Sequence, residues 1–322
     1  CLAGSPIEMV FSRFIHLAKK VLTPIVTGTV VTLIGLSLIG VGMTDIAGGA
    51  GAENFGSLQN FILASIVILT VVAFNMSKNQ YLRMGSIVIG LVVGYVISMF
   101  LGIVDFSALS DIPLLSVPVP FKYGLRFDLA LFIPIAILYL ITTIESTGDL
   151  TATSLVSGEP IEGDVYINRI RGGILGDGFN SMLAATFNTF PNTTFSQNNG
   201  VIQLTGVASR YVGFFIAGFL VLLGLFPLVG GVVSAIPRPV LGGATIIMFG
   251  TVAAAGIKII STAKIERREL MILALSLGLG LGVMAVPEVL SGLPAMVQTM
   301  FSSPITTGGL TALILNLVLP RD

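Results

Sequence analysis

The sequence has few charged residues: Asp, Glu, Lys and Arg make up only 10% of its 322 residues, whereas 54% are hydrophobic. Water-soluble domains carry roughly a quarter charged residues, so this chain has too few to cover a surface that faces water. Sixteen basic residues balance sixteen acidic ones, which leaves no strongly basic patch for nucleic acid. The composition therefore predicts a protein whose solvent is lipid, and it excludes a nucleic-acid partner.

Cysteine and histidine occur once each, as Cys1 and His16. A single cysteine excludes a disulfide framework within the chain and a four-cysteine metal site. A single histidine excludes the paired-histidine zinc helix and disfavours a histidine-based triad. We expect no metal and no other cofactor. Because the chain starts at Cys1 rather than methionine, we interpret it as a piece of a longer membrane protein; a lipoprotein cysteine is the weaker alternative.

Long apolar runs alternate with short polar segments along the chain. A helix needs about 20 apolar residues to cross the hydrocarbon core. Five runs are clear candidates: 21–43, 58–74, 84–104, 128–148 and 211–235. Three more, 240–260, 270–286 and 305–319, are clear enough but rich in glycine or short. Residues 172–190 and 193–208 are also apolar but interrupted by polar groups, so we predict two broken spans there, and 1–12 has the character of the end of a span. Threading all of these alternately places thirteen of the sixteen cations on one side, which is predicted to be the cytoplasm.

Three carboxylates lie within or at the end of apolar segments. Glu145 ends the run LALFIPIAILYLITTIE, Asp149 follows one helical turn later, and Asp177 lies in RGGILGDGFNSMLAATF. Charged groups at membrane depth are costly unless they face protein or water, so they indicate a substrate or ion pathway. Glu145 and Asp149 share one helix face, an arrangement suited to proton coupling. The alternative for Asp149 is that it ends the helix at the interface.

Residues 188–206, NTFPNTTFSQNNGVIQLTG, combine an extended segment with a possible half-helix. Non-helical backbone at membrane depth is tolerated only where protein or a cavity surrounds it. The amides of Gln197 and Asn198 offer donors and acceptors, and Phe195 offers a flat apolar ring. A planar heterocycle requires both features. The alternative is a re-entrant turn whose amides pair with one another.

Three motifs carry a family resemblance. QNNGVIQLTGVASRYVG at 197–213 resembles the signature of the nucleobase-ascorbate transporter family, and ESTGDLTATS at 145–154 and GGILGDGFNS at 172–181 resemble its flanking motifs in the same order. The similarity extends from LAKKVLTP to GGLTALILNLVLP and is greatest to the bacterial xanthine permeases of that family. It implies an all-α polytopic membrane protein with fourteen spans in two inverted seven-span repeats, with broken spans and a short intramembrane strand.

The resemblance also implies a division into a core domain that carries substrate and a gate domain that dimerises. Residues 1–12 would end a core-domain span, 13–126 would form the first part of the gate with three spans, 127–236 the core with four, and 237–322 the second part of the gate with three. By this reading the first three spans, which include a histidine and one of two strands at the site, are missing. His16 is expected to be interfacial and not to replace that histidine.

The family motifs assign site roles to residues of this chain. Glu145 matches the glutamate that accepts hydrogen bonds from the substrate ring, and Gln197 matches the glutamine that binds the opposite edge. Uracil-type members carry a glutamate at the latter position, so Gln197 favours a purine. The remaining matches are the stacking Phe195, the backbone amide at Ser196, and the supporting polar residues Asp177 and Asn198. Glu145 and Asp177 are the expected proton-coupling groups.

The sequence therefore predicts proton-coupled symport of a purine, with xanthine preferred, across a bacterial inner membrane by a protein that forms a homodimer at full length. A uric acid or uracil symporter is the first alternative, and an anion transporter or channel of the same fold is the second. An intramembrane enzyme is disfavoured because the sequence has no paired histidines and no nucleophile motif. The last alternative is an inert fragment.

Overall fold

The structure is a computed structural model that describes residues 1–14, 23–104, 112–160, 163–195, 198, 202, 206–261, 263–294, 297–298 and 301–320. Its regular elements are helices, and none of these residues lies in a strand. In chain order they are α1 (Ser5–Phe11), α2 (Pro24–Ile46), α3 (Leu58–Asn75), α4 (Gln80–Met84), α5 (Ser86–Phe100), α6 (Leu129–Val156), α7 (Gly163–Thr186), α8 (Arg210–Leu225), α9 (Pro227–Ser234), α10 (Arg238–Ile260), α11 (Arg267–Ala285) and α12 (Pro304–Val318). Short 3-10 turns cover Ser12–Phe14 and Pro287–Leu290.

Most predicted spans coincide with long helices. Five have the length and apolar composition needed to cross a membrane: α2, α3, α6 from Leu129 to Thr151, α10 and α11. The apolar helices α5 and α12 are shorter, at 15 residues each. The prediction of an all-helical, polytopic architecture is confirmed in this respect, whereas the inverted repeats remain a prediction.

Two predictions of local structure are wrong. Residues 172–190 are not broken at Asp177 and Gly178, because α7 runs continuously through both of them. The short intramembrane strand that the family resemblance implies is also not seen in the described part of the extended segment, since Thr193 to Phe195 have no regular structure. A polar group can remain inside a helix where a neighbouring helix supplies its partner, and Asp177 has such a partner on α6.

The predicted single span 211–235 contains a sharp bend. Helices α8 and α9 meet at an angle of 82° around Phe226. Pro227 explains the break, because proline has no N–H to continue the backbone ladder and its ring clashes with the preceding turn. The freed carbonyl of Leu225 accepts a hydrogen bond of 3.0 Å from the backbone N–H of Ser116. The loop before α6 thus supplies a donor that the helix lacks.

The chain divides into two compact units. The first comprises residues 1–37, 119–206 and 252–322, and its apolar core includes Val26, Ile260, Ile272 and Ala312. The second comprises 38–118 and 207–251, and its core is formed by Leu63, Val67, Val71, Val240 and Ala244. The predicted boundaries of the core and gate domains remain a prediction.

Glycines allow close helix packing at some positions but not at others. A Cβ atom on Gly280 of α11 would lie 2.8 Å from the carbonyl oxygen of Pro304, and one on Gly308 of α12 would lie 2.7 Å from that of Ser276. By contrast, a Cβ on Gly278 would meet nothing within 4 Å. Close approach through small residues, the usual role of glycine in membrane bundles, therefore holds for Gly280 and Gly308 but not for Gly278.

Candidate functional site

The C-terminal half of α6 is rich in hydroxyl groups that bond to their own helix. Thr143, Thr147, Thr151 and Ser154 each donate to the backbone carbonyl four residues earlier, at 2.7 to 2.8 Å. These bonds satisfy the hydroxyl protons locally, so a threonine-rich segment can remain helical at low polarity. The predicted functional carboxylates Glu145 and Asp149 project from this segment, and α6 continues to Val156, so Asp149 does not end the helix.

A hydrogen bond between α6 and α7 fixes Asp177. The hydroxyl of Ser146, which is fully buried, donates to Oδ2 of Asp177 at 2.6 Å. A bond to a charged acceptor at this distance is among the stronger ones in proteins. Asp177 is also near enough to act electrostatically on Glu145. Glu145 and Asp177, the two carboxylates predicted for proton coupling, thus lie in one neighbourhood. Their role in proton coupling remains a prediction.

The segment after α7 folds back across α7 and α6. Ser181 of α7 exchanges two hydrogen bonds with the backbone of Asn192, at 3.0 and 3.2 Å. Thr194 then donates to Oδ2 of Asp149 at 2.6 Å, and Thr193 reaches Oε2 of Glu145 at 3.5 Å. Consecutive threonines therefore contact consecutive turns of the carboxylate face of α6.

This anchoring brings the predicted binding segment next to Glu145. Phe195 directly follows the anchored threonines and is 52% exposed, so its ring is free to accept a stacking partner. Its carbonyl accepts a hydrogen bond from the N–H of Asn198, which is exposed. Ser196 and Gln197 lie outside the described residues, as does His16. The structure thus places Phe195 two residues after Thr193, which contacts Glu145.

Sequence reasoning missed four polar residues of this neighbourhood: Glu8, Thr143, Ser146 and Thr194. Glu8 is fully buried on α1. A signal for it was available, because a carboxylate in the apolar run SPIEMVF has the same significance as the three carboxylates that were selected. Ser146 gave no separate signal, because serine in membrane helices most often bonds to its own backbone. Thr194 gave none because its partner, Asp149, is 45 residues away in sequence.

The chain is similar to characterised permeases over most of its length. It is 48% identical over 325 residues to the xanthine permease XanP of Escherichia coli strain K12, an alignment that covers 100% of this chain and 70% of that protein. It is 50% identical over 305 residues to the xanthine permease XanQ of the same strain, covering 94% of this chain and 66% of XanQ. The uric acid permease PucJ of Bacillus subtilis is 35% identical over 323 residues, covering 98% of this chain and 71% of PucJ.

Residues 1–289 match the permease family Xan_ur_permease. The match confirms the resemblance carried by the motifs around Glu145, Asp177 and Gln197. Together with the apolar helices, it identifies a multi-pass membrane protein of the permease class. The chain belongs to the Xan_ur_permease family, the nucleobase-ascorbate transporters.

Proposed function

We propose that this protein imports xanthine in symport with protons across the bacterial inner membrane, and that it does so as a homodimer whose core domain moves against its gate domain. The observation that carries the proposal is the docking of the segment before Gln197 onto the Glu145 face of α6, through Thr193 and Thr194. The identity to XanP and XanQ supports xanthine as the substrate.

The chemistry of the docked segment fits a purine dione. Xanthine presents N–H donors and carbonyl acceptors around a planar ring. A carboxylate such as Glu145 can accept two N–H bonds, whereas the amide of Gln197 supplies one donor and one acceptor. The exposed ring of Phe195 offers a stacking surface. The contact of Thr193 with Glu145 is long, at 3.5 Å, so substrate displaces it at little cost.

Uric acid is the second candidate, favoured by the similarity to PucJ. Uric acid differs from xanthine by an additional carbonyl on the five-membered ring, so the two compete for the same hydrogen-bonding edges. The test is competition: excess unlabelled uric acid, hypoxanthine or uracil is added during uptake of radiolabelled xanthine. If the protein prefers xanthine, uptake of radiolabelled xanthine persists in the presence of these competitors. If unlabelled uric acid inhibits that uptake at a lower concentration than unlabelled xanthine does, uric acid is the preferred substrate.

The first experiment measures uptake of radiolabelled xanthine by cells that have no xanthine permease of their own, with and without a protonophore. We expect accumulation that the protonophore abolishes. Accumulation that persists without a proton gradient would contradict symport, and no uptake by a well-inserted protein would contradict xanthine transport.

Glu145→Gln tests the assigned site. We expect it to abolish uptake without changing membrane insertion, because an amide cannot accept two N–H bonds through charged oxygens. The matched control is Glu159→Gln. Glu159 lies in a loop, its side chain is half exposed, and its carboxylate pairs with Arg169 of α7. This variant should leave uptake unchanged. Normal uptake by Glu145→Gln would exclude Glu145 from the substrate site.

A further inference from the structure

Glu8 on α1 is a carboxylic acid for which the symport mechanism above has no use. Its side chain is fully buried, and no described group hydrogen-bonds its Oε2. The one hydroxyl that approaches its other oxygen, Thr143 Oγ1 at 3.5 Å, also donates to the carbonyl of Tyr139 at the shorter distance of 2.7 Å. Thr143 has a single proton to donate. Glu8 therefore lacks the donors that a buried, ionised carboxylate requires.

Among the residues that the structure describes, no cation is placed to compensate Glu8. Three groups of structure pack against α1: helix α6, helix α7 and the turn Ser12–Phe14. Their titratable groups that act on Glu8 are Tyr139 of α6 and Asp177 of α7. The charged group of the turn is Arg13, which is exposed. The neighbour of Glu8 with a formal charge is thus another carboxylate.

Helix packing holds the two carboxyl groups together. A Cβ atom at Gly178 would lie 3.2 Å from the backbone nitrogen of Met9 and 3.2 Å from the carbonyl oxygen of Ser5. The backbones of α1 and α7 thus approach closely one residue from Glu8 and one residue from Asp177. Close backbone packing therefore places the positions of Glu8 and Asp177 beside the same helix contact.

Asp177 links this pair to the substrate-binding carboxylate. Its Oδ2 accepts the hydrogen bond from Ser146 and is held on the α6 side, while Glu8 lies on the α1 side. Asp177 also acts electrostatically on Glu145. A change of charge at the pair is consequently felt where substrate is expected to bind.

We propose, on the basis of the proton symport proposed above, that Glu8 and Asp177 form a carboxyl pair that binds the coupling proton. Glu8 is buried and Asp177 is half-buried. Two neighbouring carboxylates repel each other when both are ionised, so the pair favours holding one proton and titrates as one unit. The loaded pair shares one proton and carries one negative charge. Release of that proton to water, with no other bond changed, leaves two negative charges.

The test separates substrate exchange from proton-driven accumulation in membrane vesicles. Glu8→Gln mimics a permanently protonated glutamic acid. We expect the rate at which this variant exchanges external for internal xanthine to stay within twofold of the wild-type rate. Its accumulation of xanthine under an imposed pH gradient should fall at least tenfold. The matched control is Ser12→Ala, which removes a buried polar group whose hydroxyl bonds only to the carbonyl of Met9 among described groups. It should keep both activities.

Accumulation by Glu8→Gln with the pH profile of the wild type would overturn the inference. If Glu8→Gln is absent from the membrane, the same comparison uses Glu8→Asp, which withdraws the carboxyl by one methylene. We then expect exchange to persist with a shifted pH profile of accumulation, and an unchanged profile overturns the inference. Lack of xanthine uptake by the wild type would instead refute the proposed function itself, together with its proton site.

Discussion

Replacing Thr194 by valine should weaken xanthine binding without contacting xanthine. Valine keeps the shape of threonine but removes the hydroxyl that donates to Asp149 at 2.6 Å. That bond anchors the segment that continues through Phe195 to the predicted Gln197. Without it, the segment occupies the docked position for a smaller fraction of the time. The apparent affinity for xanthine falls in proportion to the docked fraction.

The size of the effect follows from the bond. A hydrogen bond to a charged group contributes about 1.5 to 3 kcal/mol. Since 1.4 kcal/mol corresponds to a factor of ten, the KM for xanthine should rise by about 10- to 150-fold. The neighbouring Thr193 provides the control, because it is exposed and its contact with Glu145 is 3.5 Å long. Thr193→Val should change the KM by less than about threefold.

The assay is the initial rate of xanthine uptake over a range of concentrations, normalised to the amount of protein in the membrane. Thr194→Ser, which keeps the hydroxyl, should restore most of the affinity. Two results would refute the reasoning: an unchanged KM in Thr194→Val at normal membrane levels, or a larger effect of Thr193→Val than of Thr194→Val.

Two further predictions concern stability and use melting of the detergent-solubilised protein. Gly280→Ala should lower the free energy of unfolding by about 1 to 3 kcal/mol, because the added Cβ would meet a backbone carbonyl at 2.8 Å. Gly278→Ala, where a Cβ meets nothing within 4 Å, should be neutral. Equal melting temperatures of these two variants would contradict this packing. Arg268 donates from Nη2 to the carbonyl of Asn316 at 2.6 Å and to its side-chain oxygen at 3.0 Å. Because lysine cannot form this fork, Arg268→Lys should cost about 1 to 3 kcal/mol with the xanthine KM unchanged, and an altered KM would indicate a role in transport instead.

Hydropathy predicted most helices because a helix that crosses a bilayer needs about 20 consecutive apolar residues in the hydrocarbon core. It placed α2, α3, α10 and α11 within a few residues of their observed bounds. Local polarity misled the prediction in α7, where Asp177 was taken as a break although Ser146 satisfies its side chain across the helix interface. Such a partner is 31 residues away in sequence, so no local pattern contains it.

The site was predicted only in part for a related reason. Family motifs led us to propose Glu145, Asp177 and Phe195, since these residue types lie at fixed spacings within the motifs. The anchoring of Thr194 on Asp149 and the approach of Glu8 to Asp177 depend on how three helices pack. Gly178 looked like a helix interruption in the sequence, whereas in the structure it permits that approach.

The hydrogen bond from Ser116 to Leu225 makes the preceding loop part of the bent helix pair. A carbonyl left unpaired away from water is costly, so the register of this loop is fixed by the helix end that it completes. One inserted residue moves an extended chain by about 3.3 Å, more than the length of the bond itself. An epitope or reporter placed just before Ser116 would therefore disturb α8 and α9, although the loop has the proline-rich composition of a permissive insertion site.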